Sequence, residues 1–321
     1  MINRRVFNKA IASCVATLPA ISRAQNFPSK AIRIVVPAPA GSGPDIDIRQ
    51  ISNHLTAILG QAVVIENRPG AGGRLAIEAV LKSGDGHTFY VGSPGVTTMA
   101  TLYPKLPFDP RRDLLPVSLA SVTNFTLTIN SQIPAATLSD YIKLAQSNNN
   151  HANFGTLGAG SINHLRAAQF SNLTGVDCRY IHYSTSSPFT DLAAGQISAM
   201  FCAMLPVAAQ VKAGRLRTLA TSGKTRHPAT PDIPTFIEAG LTNFDPQVWT
   251  GVLAPAGTPA STVKRMSTAI AQVARLPETI AQRNAAGSDS VGSTPEEFST
   301  FLEAERVQLT AVINKIGLSL E

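Results

Sequence analysis

Hydrophobic and polar positions change their spacing near the start of the chain, where a short apolar run is followed by a longer periodic segment. Apolar side chains fill most of Ile32–Val36, as in a buried strand. Beyond a turn rich in proline and glycine, apolar positions recur every three or four residues, the spacing of an amphipathic helix. The pattern predicts a helix over Pro44–Leu59, with proline in its first turn and Gly60 after its last.

The same succession of apolar strand and amphipathic helix continues through most of the chain. Strands are predicted at Ile32–Val36, Val63–Glu66, Thr88–Gly92, Val117–Ala120, Thr126–Ile129, Ala152–Gly155, Cys178–His182, Ser198–Cys202, Leu216–Ala220 and Gly251–Ala254. Helices are predicted at Pro44–Leu59, Leu75–Lys82, Leu138–Ser147, Asn163–Leu173, Pro188–Ala194, Val207–Ala213 and Ser261–Ala274, with a last helix starting at Thr294–Glu297. This alternation is typical of an α/β protein with mainly parallel sheets, and 321 residues favour two domains.

The turn between the first strand and the first helix is suited to binding an anion. Its backbone N–H groups lie at the positive end of a helix dipole, where a carboxylate or phosphate is stabilised. We therefore predict ligand contacts from Ala40, Gly41, Ser42 and Gly43. Asp45 is included as a further candidate, but a structural or water-positioning role is favoured for it, because its carboxylate would repel an anion.

A second glycine-rich turn, Gly155–Ser161, leads from a predicted strand into a predicted helix. Ser161 suits the N-cap position, and the glycines allow a ligand to approach the backbone closely. Ligand contacts are predicted for Gly158, Ser161, Asn163 and His164, although His164 is also suited to simple packing. Each turn taken alone is explained more readily as a structural joint, but two such turns in two halves of a chain indicate a ligand between them.

A third candidate segment follows the strand that ends at His182. Tyr183 and the hydroxyl side chains after it, Ser186 among them, are predicted to bind an oxygen-rich ligand at the carboxyl end of the strand. The alternative is that these serines only cap the helix at Pro188. Ser93, after the predicted strand Thr88–Gly92, completes the predicted set of ligand-binding residues.

An exported hydrolase or transferase is the alternative function from another class. It would use Ser161 with His164 or His182 as the reacting pair. The sequence contains no G-x-S-x-G motif, and its six histidines are dispersed. A protein without catalytic residues is therefore the favoured interpretation.

The N-terminus has the form of an export signal. Basic residues precede the apolar run Ala10–Ile21, and Ser22–Ala24 has the small-x-small form of a cleavage site. We predict a signal peptide over residues 1–24, of the Sec or twin-arginine type, and a periplasmic mature protein. Lipidation at Cys14 is a less favoured alternative.

Charge and composition exclude several classes of function. The leader carries four of the 27 basic residues and none of the acidic ones, so its removal lowers the formal charge from +7 to +3. The remaining charge is too small and too scattered to predict nucleic-acid binding. After the leader, no run of 18 apolar residues predicts a membrane span.

The sequence favours neither a metal nor another cofactor. Gly41–Gly43 lacks the third glycine of a dinucleotide fingerprint, no phosphate-binding G-x-x-x-x-G-K-[ST] motif occurs, and histidine and cysteine are not clustered. Once the leader is removed, two cysteines remain, Cys178 and Cys202. Two buried thiols are favoured over a disulfide, which the sequence leaves open.

The chain resembles the tripartite tricarboxylate transporter receptor family, the Bug-type extracytoplasmic solute receptors. The resemblance runs over essentially the whole mature chain, and many motifs occur in the family's order. They are Phe27–Lys30, Ile32–Pro37, Gly41–Asp45, Glu66–Gly73, Gly160–Leu165, Asp232–Thr235, Glu238–Gly240, Trp249 and Ala254–Pro259.

The resemblance implies a two-domain periplasmic binding protein of the type II-like class, each domain a mainly parallel sheet flanked by helices. Domain 1 would comprise residues 25–124 and 246–321, and domain 2 residues 125–245. Two crossing strands near Phe125–Ile129 and Trp249–Leu253 would form the hinge. The implied ligand is a small organic carboxylate held by N–H groups, hydroxyls and waters. A monomer is expected, with membrane transporter subunits or a sensor kinase as partner.

Two departures from the family pattern concern the ligand. The usual Gly-Gly pair of the first turn is Gly41-Ser42, and the family's Pro-Tyr-Lys/Arg-Gly is replaced by His182-Tyr183-Ser184-Thr185. The second change removes a basic side chain. It predicts a ligand with a single carboxylate, or one whose far end is neutral.

Overall fold

A computed structural model describes residues 27–183 and 188–320 of the chain. The strands are β1 (Ile32–Val36), β2 (Val63–Asn67), β3 (Thr88–Gly92), β4 (Leu114–Asn130), β5 (Asn153–Thr156), β6 (Arg179–His182), β7 (Ala199–Ala203), β8 (Leu216–Thr221), β9 (Gln247–Pro255) and β10 (Ser288–Ser290). The α-helices are α1 (Gly43–Leu59), α2 (Arg74–Leu81), α3 (Pro94–Leu102), α4 (Pro110–Asp113), α5 (Leu138–Ser147), α6 (Ile162–Thr174), α7 (Pro188–Ala193), α8 (Ala208–Lys212), α9 (Ala260–Ala274), α10 (Pro277–Ala285) and α11 (Pro295–Ile316). The predicted signal peptide and Ser186 lie outside the described residues.

The strands form two groups joined by β4. In the first group β1 pairs in parallel with β2 and β3, and β9 pairs antiparallel with β3 and β4. In the second group β5 pairs in parallel with β6 and β7, while β4 pairs antiparallel with β7 and β8. We call these groups, with the helices packed on them, the first lobe and the second lobe.

Strand β4 runs from one lobe into the other. Asn124 pairs with Gln247 of β9 in the first lobe, and the next residue, Phe125, pairs with Ala203 of β7 in the second. The chain returns through the segment that enters β9 at Gln247. Strand β4 and the entry to β9 therefore connect the two lobes.

Each lobe has its own hydrophobic core. In the first lobe, side chains of β1, α1 and α9 bury one face of the sheet around Phe89. In the second lobe, aromatic rings dominate, and Phe154 stacks on Phe201 with ring centroids 5.9 Å apart. Full burial of one such side chain contributes roughly 1.5–3 kcal/mol. Each lobe is therefore stabilised mainly by its own core.

One prediction about the strands is wrong. Val117–Ala120 and Thr126–Ile129 were expected to be separate strands, but both belong to β4, together with the partly polar segment between them. The polar side chains are buried and satisfied: Ser121 Oγ donates to Asp47 Oδ2 at 2.9 Å, and Asn124 Oδ1 accepts from Ser222 Oγ at 3.4 Å. Tertiary hydrogen bonds therefore let the strand continue through them.

Helix α3 was not predicted, although it borders the cleft. Its sequence contains proline, glycine and three threonines, so its intrinsic helix propensity is low. Val96, Met99 and Leu102 are nevertheless buried on its inner face. Tertiary packing stabilises this helix, as it does most helices in proteins. The helices α4 and α10 and the strand β10 were also missed.

Both cysteines of the described chain are free and buried. Burial raises the pKa of the Cys178 thiol and of the Cys202 thiol to about 12. Each therefore stays protonated and behaves as a small apolar side chain. The favoured prediction of two buried thiols is confirmed.

Of the helices in the described ranges, none is both long enough and apolar enough to cross a membrane.

Candidate functional site

A cavity of about 390 Å³ lies between the two lobes. Three helices begin at its wall: α1 contributes Pro44, α3 begins after Ser93, and α6 begins after Ser161. The first N–H groups of a helix have no intrahelical acceptor, and the helix dipole makes that end positive. The starts of α3 and α6 therefore favour an anion at this cavity, whereas α1 reaches it only through Pro44, which has no N–H group.

The turn before α1 is held in place by Asp45. The carboxylate of Asp45 accepts hydrogen bonds from the Gly41 N–H at 2.8 Å, from Arg49 Nε at 2.9 Å and from Asn67 Nδ2 at 2.8 Å. Burial raises the pKa of Asp45, but these hydrogen bonds and the charge of Arg49 outweigh it, so the net pKa is below its usual value. Asp45 therefore stays ionised and fixes the turn.

The turn before α6 is held in the same way by His164. The Gly160 N–H donates to His164 Nδ1 at 3.1 Å, and the ring packs edge-on against Tyr180 and His182. Burial, and secondly the neighbouring His182, lower the pKa of His164 to about 4. The ring is neutral at pH 7, with Nδ1 as the acceptor.

Ser161 and Asn163 anchor the same end of α6. Ser161 Oγ donates to the Gly158 carbonyl at 2.7 Å and accepts from the His164 N–H at 3.4 Å, as an N-cap does. Asn163 Nδ2 donates to the carbonyl of Phe201 on β7 at 2.7 Å. The side chain of Asn163 is buried and ties the helix to the sheet.

Tyr183 is engaged within the second lobe. Its hydroxyl donates to Asp191 Oδ2 at 2.8 Å. Burial, followed by the hydrogen bond to Asp191 and its negative charge, raises the pKa of Tyr183 to about 12. The phenol stays protonated and orients the end of β6 relative to α7.

Two of the predicted ligand-binding residues line the cavity, and the other described ones do not. Ser93 and Ser161 line its wall. Residues of the two turns that do not line it are Ala40, Gly41, Ser42, Gly43, Asp45, Gly158, Asn163 and His164, and Tyr183 lies apart from it as well. Ser42 Oγ is buried without a hydrogen-bond partner in the described chain. Their contact with a ligand stays a prediction.

The geometry does not assemble the serine–histidine pair that a hydrolase would need. Ser161 Oγ donates to a backbone carbonyl, and His164 Nδ1 is occupied by the Gly160 N–H. His182 Nδ1 is hydrogen-bonded to Thr156 Oγ1 at 2.7 Å. Among the described residues, neither histidine ring makes a hydrogen bond with Ser161.

Several wall residues were missed from the sequence. Leu102 and Tyr103 come from the end of α3, Val248 from β9, and Leu320 from the C-terminal tail. The Ser93-Pro94 pair directly after an apolar strand was a usable signal for the start of α3. The position of Leu320 had no signal, because it depends on how the tail folds back onto Leu102.

The fold and the cleft define a class of protein. Two α/β lobes that enclose a cavity and are joined by β4 and the entry to β9 form a two-domain periplasmic binding protein. A solved periplasmic transporter protein, 32% identical, superimposes with a TM-score of 0.79 and covers 92% of this chain and 100% of its own. The predicted fold class is confirmed.

The chain belongs to the tripartite tricarboxylate transporter family of receptors, whose family profile matches residues 48–318. It is 33% identical over 310 residues to the UPF0065 protein in the tcbD-tcbE intergenic region of Pseudomonas sp. strain P51, covering 95% of this chain and 92% of that relative. MatC from Rhodopseudomonas palustris, solved with bound malate, is 28% identical with a TM-score of 0.76 and covers 89% of this chain and 100% of its own.

Proposed function

We propose that this protein binds a small organic carboxylate in the cavity between its lobes and delivers it to the membrane subunits of a transporter. The observation that carries the proposal is that α3 of one lobe and α6 of the other both begin at the wall of one cavity. The relative MatC, solved with malate, supports the choice of a carboxylate. Its family's role as receptors supports delivery to a transporter.

The carboxylate is held mainly by Ser93 and by the first N–H groups of α3 and α6. Ser93 Oγ has no hydrogen-bond partner among the described residues, so it is free to donate to a ligand oxygen. Asp45 and His164 accept hydrogen bonds from the turns in which they lie. They keep the glycine turns rigid, so that little conformational entropy is lost when the ligand binds.

The two domains close around the ligand by a hinge motion. We place their boundaries at residues 25–124 with 246–321, and 125–245. The change of β4 partners between Asn124 and Phe125 supports this division. A ligand that contacts both domains stabilises the closed state by its extra contacts there.

The protein works outside the cytoplasm and performs no chemistry on its ligand. The signal predicted over residues 1–24 and the periplasmic relatives support export. The hydrogen bonds of Ser161 and His164, which are directed to the backbone, support a role without catalysis.

Calorimetry with ligand-free mature protein tests the proposal. Hexanoate, benzoate, malate, adipate and citrate are titrated in turn, and at least one is expected to bind. Ser93→Ala should then weaken binding about tenfold, because a hydrogen bond to a charged group contributes about 1.5–3 kcal/mol. Ser147→Ala, on the exposed face of α5, is the control and should bind as the wild type does. Failure of all five acids to bind would refute the proposal.

A further inference from the structure

Arg74 is an arginine beside the interlobe cavity that has no counter-ion in the described chain. It is the first residue of α2 and directly follows the short 3₁₀ helix Ala71–Gly73. Its Nε is buried without a hydrogen-bond partner, and no carboxylate within the described ranges forms an ion pair with its guanidinium. The charge of Arg74 is therefore not neutralised by these parts of the protein.

Two other arginines have the same kind of buried Nε, but each has a carboxylate partner. Arg166 pairs through a terminal nitrogen with Glu305. Arg283 pairs in the same way with Asp47. A partly desolvated guanidinium is costly unless an anion compensates for its lost hydration. Arg74 therefore suits an anion that comes from outside the chain.

The side chain of Tyr103 connects Arg74 to the cavity. The guanidinium carbon lies 5.7 Å from the centroid of the Tyr103 ring, close enough for a cation–π contact. Tyr103 and Gly72 both line the cavity, and the Tyr103 hydroxyl lies 2.9 Å from the ideal Cβ position of Gly72. The hydroxyl has no hydrogen-bond partner among the described residues, so it is free to donate to a ligand.

Arg74 and Tyr103 act on a ligand in different ways. Arg74 is not itself a lining residue, so Tyr103 provides the contact and Arg74 the charge behind it. Where water is partly excluded, this charge still attracts an anion across the width of a ring.

Tyr103 lies at the far end of α3 from Ser93. Ser93 is the N-cap and Tyr103 the C-cap of this nine-residue helix, and both line the cavity. A ligand that places one carboxylate at Ser93 therefore extends toward Tyr103 and Arg74.

We propose that Arg74, together with the Tyr103 hydroxyl, determines specificity by binding a second anionic group of the ligand, so that dicarboxylates are preferred to monocarboxylates. The inference rests on the proposed function and specifies the substrate class of the same site. The loss of a basic side chain after Tyr183 predicted a neutral far end, but Arg74 supplies a cation from the opposite lobe.

Adipate and hexanoate form a matched pair for the test, because hexanoate has a methyl group where adipate has its second carboxylate. Each is titrated calorimetrically into mature protein freed of ligand by exhaustive dialysis. The wild type should bind adipate at least about tenfold more tightly than hexanoate, through charge-assisted hydrogen bonding at the far end. Malate and 3-hydroxybutyrate differ in the same way and form a shorter pair, to which the same criteria apply.

Arg74→Gln removes the charge and keeps a polar side chain. It should weaken adipate binding about tenfold and change hexanoate binding less than about twofold, so that the preference is lost. Thermal unfolding and unchanged binding of hexanoate show that the variant is folded. Tyr103→Phe keeps the ring and removes only the hydroxyl, and should weaken adipate binding about threefold.

Arg68→Gln is the matched control for the loss of one positive charge. Arg68 precedes the same 3₁₀ helix, is ion-paired with Glu66 and does not line the cavity. This variant should keep the wild-type preference for adipate. An equal loss of preference in Arg68→Gln and Arg74→Gln would show a general attraction of anions to the protein and overturn the inference.

Glu321 is the one acidic residue that the sequence places outside the described ranges, and it follows Leu320 of the cavity wall. Glu321→Gln tests whether this carboxylate, instead of a ligand, neutralises Arg74. We expect the same preference for adipate in the wild type and in Glu321→Gln. A preference that appears only in Glu321→Gln would assign Arg74 to the tail and overturn the inference.

The outcomes separate the two proposals. A preference for adipate that is lost in Arg74→Gln and kept in Arg68→Gln supports the inference. Equal binding of adipate and hexanoate by the wild type, or an undiminished preference in Arg74→Gln, overturns the inference and leaves the carboxylate receptor intact. If no carboxylate binds, the proposed function fails, and the inference fails with it.

Discussion

Asp45 and His164 perform the same task in opposite lobes. Each lies in the first turn of a helix and accepts a hydrogen bond from the N–H of a glycine four residues earlier. Both glycines, Gly41 and Gly160, have positive φ values, of 80° and 75°, which permit the turn. The Asp45 carboxylate is ionised and the His164 ring is neutral. Mild acid protonates the ring of His164 but not the carboxylate of Asp45.

Acidification should destabilise the protein through His164. Its pKa in the folded state is about 4, against an ordinary value of about 6.5, so the unfolded chain binds the extra proton between these values. The contribution to stability is therefore complete above about pH 6.5 and is lost as the pH falls toward about 4. Urea denaturation at pH 7 and pH 4.5 measures it.

The variant His164→Asn separates titration from hydrogen bonding. Asparagine offers an acceptor oxygen close to the position of Nδ1 but does not titrate. It should lose less stability than the wild type between pH 7 and 4.5. His164→Leu, without an acceptor, should be less stable than His164→Asn already at pH 7. Equal pH profiles for wild type and His164→Asn would contradict this role.

Gly160 is a second residue whose replacement should affect the cavity. A Cβ atom there would lie 2.8 Å from Leu320 Cδ1 and 3.2 Å from Leu102 Cδ1. Gly160→Ala should therefore shift the side chains of Leu320 and Leu102 at the cavity wall and weaken ligand binding, in addition to a backbone cost of about 1–2 kcal/mol for the left-handed conformation.

Gly214→Ala is the matched control for that backbone cost. Gly214 has a φ of 71°, and nothing lies within 4 Å of its ideal Cβ position. Thermal unfolding and calorimetry should show a similar backbone penalty in both variants but a loss of affinity only in Gly160→Ala. A loss of affinity in both would mean that general destabilisation is responsible.

At the scale of elements, the C-terminal helix α11 and the tail after it contribute to both lobes. Leu309 and Ile313 of α11 pack with Leu102 of α3 and Leu165 of α6. Gly317, with a φ of 63°, ends the helix and turns the tail back toward α3. The tail therefore forms part of the cavity wall although it follows the last helix.

Deletion of residues 318–321 should weaken ligand binding more than it reduces stability. It removes Leu320 from the wall and opens the cavity to water, while the core residues of both lobes stay in place. Binding of adipate should fall at least about fivefold, through loss of the apolar surface that Leu320 buries. Unchanged affinity in calorimetry would show that the tail does not reach the ligand.

At the scale of the whole molecule, a buried ion pair joins the lobes beside the hinge. Arg166 of α6 and Glu305 of α11 lie 3.3 Å apart, with 3% and 6% of their side chains exposed. Trp249 Nε1 and Thr97 Oγ1 donate to the second oxygen of Glu305 at 2.7 Å and 3.0 Å. Burial raises the pKa of Glu305 and lowers that of Arg166, and their mutual attraction opposes both shifts.

Breaking this pair from one side should be costly. Arg166→Met leaves the Glu305 carboxylate buried without its cation, which costs about 3–5 kcal/mol. The double variant Arg166→Met with Glu305→Leu should lose much less than the sum of the single variants. Urea denaturation in a double-mutant cycle measures this coupling. The half-exposed pair of Glu78 and Lys82, 3.6 Å apart, is the comparison and should couple by less than about 1 kcal/mol.

The strand and helix pattern of the fold was largely predictable. Periodicity located α1 and α5 within a residue of their observed bounds, because one side of each is buried. Continuous apolar runs located β1 and β3, whose residues are nearly all buried. Prediction failed where tertiary contacts override local preference, as in the continuous β4 and in α3 with its threonines. Ser93 and Ser161 were also predicted from the sequence as site residues, and both line the cavity.

The sequence by itself determined the α/β alternation, the family and the two glycine turns, since these depend on the order of neighbouring residues and on backbone conformation. Only the tertiary structure decided what surrounds a ligand. It directs Asp45 and His164 to their own turns, brings Leu320 from the tail to Leu102, and places no charged side chain among the described residues that line the cavity. The contact between Leu320 and Leu102 joins residues from distant parts of the chain, so no local sequence pattern records it. Asp45 and His164 act within four residues, but which group each side chain accepts from depends on how the folded turn places it.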